Sequence, residues 1–330
     1  MDKMICFLTG CLFLSCCGQK TATNQRITMG GETQQSVSAP IFNQDSAYTF
    51  VERQVQFGPR VPNTEAHKAC AQYLASELER FGAEVYVQEA VLTAYNDDRL
   101  QASNIIGVFN PEQTNRVLLF AHWDSRPYAD RDSDTNNHYK PIDGADDGAS
   151  GVGVLLEIAR QIGLNNIEIG IDIIFFDAED YGVPEFLNDY SADSFCLGSQ
   201  FWAKNPHVPN YKAQFGILLD MVGSKNATFY KEGYSMQYAA PVVERVWSTA
   251  RNLGYGKFFI NNANAGSITD DHLYVHKGRG IPCIDIINLD NSTAHGFGSY
   301  WHTQQDTMDN IDRQTLKAVG QTVLEVICNN

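Results

Sequence analysis

The side chains best able to do chemistry fall in a few short stretches: His122-Trp123-Asp124, Asp146-Asp147, Asp177-Ala178-Glu179-Asp180, Asp220 and Trp301-His302. Three of these follow apolar runs, at residues 117–121, 173–176 and 215–219. Such runs fit strands buried on both faces of a mainly parallel sheet. In open α/β sheets ligands bind beyond the carboxyl ends of the strands. Carboxylates left there cost solvation energy unless a cation compensates them. Several such endings in one sheet converge on a single crevice, which points to a metal and its general base. Zinc takes imidazole nitrogen and carboxylate oxygen, and a catalytic site leaves one position open. Asp147, Asp180 and His302 can supply three ligands, while Glu179, beside a ligand, is left to act as a base. His122 and Asp124 are two apart, so on an extended chain they face the same way and Asp124 can orient His122. Singly, each has a plainer reading. Asp146 or Asp147 could cap a helix, His302 could be a satisfied histidine, Asp220 a turn residue, and Asp270-Asp271-His272 another cap.

The elements that must position these groups alternate between helix and strand. Residues 46–55 read as a short helix, followed by a turn-rich loop at 57–64. Asn63 or Thr64 can cap the next helix, which runs to about Phe81 with Cys70, Leu74, Leu78 and Phe81 on one face. Strands are expected at 84–91 and 102–109, a long polar loop at 125–144, and a helix at 148–162 facing inward through Val152, Leu155, Leu156 and Ala159. A second irregular segment spans 181–194. A short helix at 196–203, a helix at 241–253, a core strand at 281–287 and a closing helix at 312–328 complete the pattern. This alternation favours an α/β fold with a central sheet covered on both faces. A loop as long as 125–144 in a compact domain is usually functional or disordered.

The chain has 330 residues and a formal net charge of -15. That acidity argues against nucleic acid as a partner. Residues 4–14 are apolar, too short to span a bilayer, and end in Ser15, Cys16, Cys17 and Gly18. This reads as a lipoprotein-type signal at 1–16, with Cys16 or Cys17 lipidated, and a flexible tether at 17–40. A single catalytic domain is expected over 41–330, in an exported bacterial protein, periplasmic or membrane-anchored. Cys70, Cys196, Cys283 and Cys328 match no zinc-binding spacing and are either disulfides or buried thiols.

The order of these motifs resembles the co-catalytic zinc aminopeptidases and, within them, the glutaminyl cyclases in their exported bacterial form. The segments that carry the resemblance include GPRVPNTEAH (59–68), AHWDSRP (121–127), GADDGASGV (144–152), IFFDAED (174–180), LLDMVGS (218–224), ITDDH (268–272) and YWHTQQDTMDN (300–310). The resemblance implies a three-layer αβα fold around a mixed, mostly parallel twisted sheet. It implies one zinc on Asp147, Asp180 and His302, with Glu179 as general acid/base and Asp270 with Asp220 as a carboxylate network beside it. Trp301 and Phe297 would line the substrate pocket, with Trp123 as a third aromatic. The substrates would be peptides or proteins with N-terminal Gln, acted on by a monomer anchored to a membrane. Two departures stand out. The animal cyclases carry Glu where this chain has Asp180, and a tryptophan in the loop that is 181–194 here. The rival is a two-zinc aminopeptidase using His122, Asp147, Asp180, Asp220 and His302.

Overall fold

Apolar runs without polar alternation can satisfy their backbone groups only by pairing inside a sheet covered on both sides, and the chain does this. In the computed structural model, which describes residues 39–165, 167–189, 191–261 and 265–330, six strands form one sheet. They are β1 (Glu84–Thr93), β2 (Arg99–Phe109), β3 (Arg116–His122), β4 (Gly170–Phe176), β5 (Gly216–Asp220) and β6 (Cys283–Ile287), in the spatial order β1-β2-β4-β3-β5-β6. The outer pairs β1–β2 and β2–β4 are antiparallel, and β4–β3, β3–β5 and β5–β6 are parallel. Register aligns the carboxyl ends: His122 pairs with Phe176, Asp220 with Ile287, and Phe120 with Leu218. The expected signal, tether and lipidated Cys16 or Cys17 lie outside the described residues, apart from the last two residues of the tether. The described residues, from 39 on, fall in one compact unit.

Among the described residues, seven helices flank the sheet: α1 (Gln44–Val55), α2 (Glu65–Arg80), α3 (Ala149–Leu164), α4 (Leu197–Lys204), α5 (Gly233–Asn252), α6 (Asp271–Arg279) and α7 (Arg313–Cys328). Thr64 caps α2 by accepting from His67 N, as the sequence suggests. On α7, Leu316, Val319, Val323 and Val326 are all buried, each worth roughly 1.5–3 kcal/mol relative to exposure. Two helices differ from expectation. α5 begins at Gly233, capped by Glu232, because Pro241 lies inside it at a kink where Ala239 has φ -143. A proline early in an apolar pattern reads as a first-turn residue, which hid the preceding turns. In the sequence α6 reads only as a possible cap at Asp270-Asp271-His272; Asp270 does cap it, accepting from Asp271 N, and the helix runs on to Arg279.

The start of α3 is specified by glycine. Gly148 has φ 102, and a Cβ there would sit 2.4 Å from Asp124 O. At Gly151 a Cβ would sit 2.1 Å from Leu219 O, so α3 presses against β5. The helix has no side-chain cap. Neither Asp146 nor Asp147 caps it, and both are free for other work.

Candidate active site

The turn after β4 sets the site. Asp177 is fully buried and accepts from Ser103 N at 2.6 Å and Ala178 N at 2.7 Å, with His67 Nε2 at 2.8 Å. It anchors the turn and faces no cavity. Asp124 takes Glu179 N and Asp180 N at 3.0 and 3.1 Å, and its Oδ1 stands 3.6 Å from His122 Nδ1. One carboxylate therefore fixes both the strand-end turn and the imidazole. Ala178, Met221 and His302 take left-handed backbone angles, with φ 51, 48 and 55. Such angles in non-glycine residues cost ~1–3 kcal/mol each and persist only where the surroundings enforce them.

Asp147, Asp180 and His302 converge as one group whose ligand atoms all lie within 4.8 Å. His302 Nε2 is 3.4 Å from Asp180 Oδ1 and 3.6 Å from Asp147 Oδ2. Asp147 Oδ2 and Asp180 Oδ2 are buried without a hydrogen-bond partner. Burial, followed by repulsion from Asp180, pushes Asp147 up to about 6. Two buried carboxylates, each with one unpartnered oxygen and one raising the other, beside an imidazole fit zinc. His122, Asp147 and Asp220 form a second such group. Here His122 Nε2 lies 3.1 Å from Asp147 Oδ1 and 3.2 Å from Asp220 Oδ1.

Residues to which the sequence reading gave no role hold these ligands. Arg126, 1% exposed, grips Asp130 through two bonds of 2.8 and 2.7 Å and donates to Asp180 Oδ1 at 3.1 Å. Asp130 Oδ1 lies 3.3 Å from His302 Nδ1, the arrangement by which a carboxylate fixes the orientation of a ligating histidine. Burial pushes Asp180 up, but His302 and Arg126 outweigh it and leave the group below the usual range. Asp306 accepts from Asp146 N and Asp147 N at 2.9 and 3.1 Å, and buried Arg60 donates to Gly144 O at 2.8 Å. The polar loop at 125–144 and the segment AHWDSRP drew attention to this stretch without giving Arg126 or Asp130 a role.

Glu179 is the proton-carrying candidate. Burial, together with repulsion from Asp270, Asp180 and Asp271, lifts it well above the usual carboxylate range, against the pull of His122. Its Oε1 accepts from the Cys196 thiol at 3.0 Å. Asp270, 3% exposed, is also lifted well above its ordinary value, by burial and then by Asp220 and Asp271. Glu179, Asp220 and Asp270 line one cavity of about 490 Å³ with the three ligands.

Trp301 stacks on His302 at 3.7 Å, and Phe297 stands 4.6 Å from Trp301. Both line the cavity and pack on a small apolar cluster of Met221, Ile287 and Leu289. From the loop at 181–194 the wall takes Val183, Glu185 and Ala192, and Phe195 lies just beyond it. Trp123 is a correction. It is 0% exposed, stacks on His67 at 4.4 Å and donates from Nε1 to Ser103 O at 3.1 Å. Side chains alternate along a strand, so once His122 and Asp124 face the site, Trp123 faces away from it. Cys70, Cys196 and Cys283 are buried free thiols, and Cys328 is free and partly buried.

The sequence model of peptidase family M28 matches residues 104–327. The chain belongs to that family. Among solved structures it is similar to a Zn-dependent exopeptidase from Parabacteroides distasonis, at 70% identity and TM-score 0.88, covering 89% of this chain and 100% of that one. It is similar to the glutaminyl cyclase of Tannerella forsythia at 71% identity and TM-score 0.87, covering 88% and 100%. The glutaminyl-peptide cyclotransferase of Bos taurus is 26% identical over 296 residues, 81% of this chain and 77% of that protein.

Proposed function

We infer that the chain is a glutaminyl cyclase, an acyltransferase that closes the N-terminal Gln of peptides or proteins to pyroglutamate with loss of ammonia. One observation carries the reading. A proton-carrying carboxylate, Glu179, adjoins a zinc-fitting ligand set at one side of a cavity walled by Trp301 and Phe297. The α-amine attacks the substrate's own side-chain carbonyl, so no water nucleophile has to be held. We assign Glu179 to take a proton from the amine as the new C–N bond forms and to return it to the departing nitrogen as the old C–N bond breaks. A carboxylate lifted toward neutrality suits both transfers. Asp270 contributes to that elevation by direct repulsion of Glu179, and Asp220 stands beside Asp270 in the same carboxylate network. Trp301 and Phe297 hold the Gln side chain curled over its amine, a proximity effect. Asp147, Asp180 and His302 would hold one zinc, which polarises the carbonyl oxygen and stabilises its developing charge.

The two-zinc aminopeptidase reading has one observation in its favour, the second group His122, Asp147 and Asp220. In that group the histidine already bonds with both carboxylates, and Asp220 adjoins Asp270. Glu179→Gln tests the assignment: zinc content is expected to stay at the wild-type level while cyclisation falls by roughly 10²–10⁴-fold. Cyclisation at the wild-type rate would remove Glu179 from the chemistry. We further place the enzyme outside the cytoplasm, exported by residues 1–16 and anchored through Cys16 or Cys17. No helix of the described residues is long and apolar enough to cross a membrane. Labelled fatty acid is expected on the mature protein, and a mature protein without it would overturn the anchor.

A further inference from the structure

An aromatic surface continues outward from the cavity mouth. Phe186 directly follows Glu185, which lines the cavity. Its ring lies 4.7 Å from Tyr139, and 5.9 Å from both Tyr128 and His138. Tyr139 is 74% exposed and Leu187 is 50% exposed. Clustered apolar exposure of this kind marks an interaction surface, because burying it from water is favourable.

The surface is tied to the reaction centre. Glu185 N donates to Asp130 Oδ2 at 2.9 Å, and Asp130 Oδ1 lies 3.3 Å from His302 Nδ1. Arg131 pairs with the Glu185 carboxylate, and its guanidinium lies 4.9 Å over the Trp301 ring. The cavity wall, a ligand histidine and the aromatic surface therefore share one bonded frame. Tyr128 is braced from behind by Tyr95, hydroxyl to hydroxyl at 2.9 Å.

We propose that Tyr139, Phe186 and Leu187 form a platform for the substrate polypeptide downstream of its N-terminal Gln. It takes an extended segment and favours aromatic or large aliphatic side chains beyond the residues held in the cavity, which the test samples at positions three to five. The occupant is the substrate chain because the platform is continuous with the cavity that holds the first residue. The proposal rests on the cyclase reading and adds to it a preference set outside the cavity. Tyr139 is so exposed that the fold gains little from it.

The test compares three Gln-peptides: a dipeptide amide, a longer peptide with Gly at positions three to five, and its match with Phe there. With the wild type, the Phe peptide is expected to show about five-fold higher kcat/KM than the Gly peptide, through KM. In Tyr139→Ala and Phe186→Ala the advantage is expected to vanish while dipeptide turnover stays unchanged. Equal rates for the two long peptides, or an advantage that survives both substitutions, would overturn the platform. So would a Tyr139→Ala change in oligomeric state with no change in peptide preference, which would give the surface to a second copy. Absence of dipeptide cyclisation in the wild type would instead remove the cyclase reading beneath it.

Discussion

Replacing Asp130 by Asn keeps the side chain's shape and removes its charge. In the native site that carboxylate meets Arg126 through two nitrogens, His302 Nδ1 at 3.3 Å and Glu185 N at 2.9 Å. Burial works against its charge, but Arg126 and then His302 outweigh this and hold it well below the usual range. The substituted amide would leave His302 without its carboxylate and the Arg126 charge with Asp180 as its remaining acidic partner. The imidazole would lose basicity and a fixed orientation, and Asp180 would be drawn toward Arg126 and away from the metal. Loss of such an outer partner costs roughly 10–100-fold in metal affinity, or ~1.4–2.7 kcal/mol. Competition against a chelator of known zinc affinity, at fixed pH, measures this directly. Asp134→Asn serves as the control, since Asp134 belongs to the same loop and its carboxylate bonds Asn136 within that loop. Thermal melting of the zinc-free proteins separates lost affinity from lost fold. Zinc affinity within about two-fold of wild type in Asp130→Asn, far below the 10-fold floor expected for such a partner, would refute the argument that Asp130 orients His302.

Trp301→Leu is expected to lower kcat/KM on Gln-peptides about ten-fold, or ~1.4 kcal/mol, mainly through KM; an unchanged KM would take Trp301 out of the substrate wall. Glu232→Gln reports on the scaffold. Burial would lift Glu232, but hydrogen bonds from His272 and Ser235 hold it at about 2 against an ordinary 4.5. A depressed carboxylate stabilises the fold above the ordinary value, and that contribution fades as pH falls from 4.5 toward about 2. The gap between wild type and Glu232→Gln in denaturant unfolding is therefore expected to be about 3 kcal/mol at neutral pH and to close in acid. A gap that is the same at both ends would contradict it. Because Glu232 also accepts from Ile268 N at 2.8 Å, the variant is expected to raise KM as well.

The strand ends were legible because β3, β4 and β5 are short and carry apolar runs that stop at His122, just before Asp177 and at Asp220. His122, Asp180 and Asp220, at or just after these ends, fall in two ligand groups that share Asp147, whereas Asp177 anchors the turn. The groups that hold the ligands were not legible. Arg126 and Asp130 sit in a polar loop where no periodicity says which charges turn inward, and Asp306 lies in a segment read only for His302. Trp123 was misplaced although the period-two rule that paired His122 with Asp124 already sent it to the other face. Only the cap of α6 was legible, because His276, Lys277 and Arg279 crowd its last turn and blur its apolar stripe.

The central claim is that one zinc, Glu179 and an aromatic cavity close a ring and do not cut a chain. The direct measurement strips the protein of metal, restores one equivalent of zinc, supplies a peptide beginning with Gln and follows its products. Full activity at one zinc is expected, with ammonia and the pyroglutamyl peptide formed in equal amounts. Release of free amino acid, or activity that appears only at a second equivalent of zinc, would contradict it.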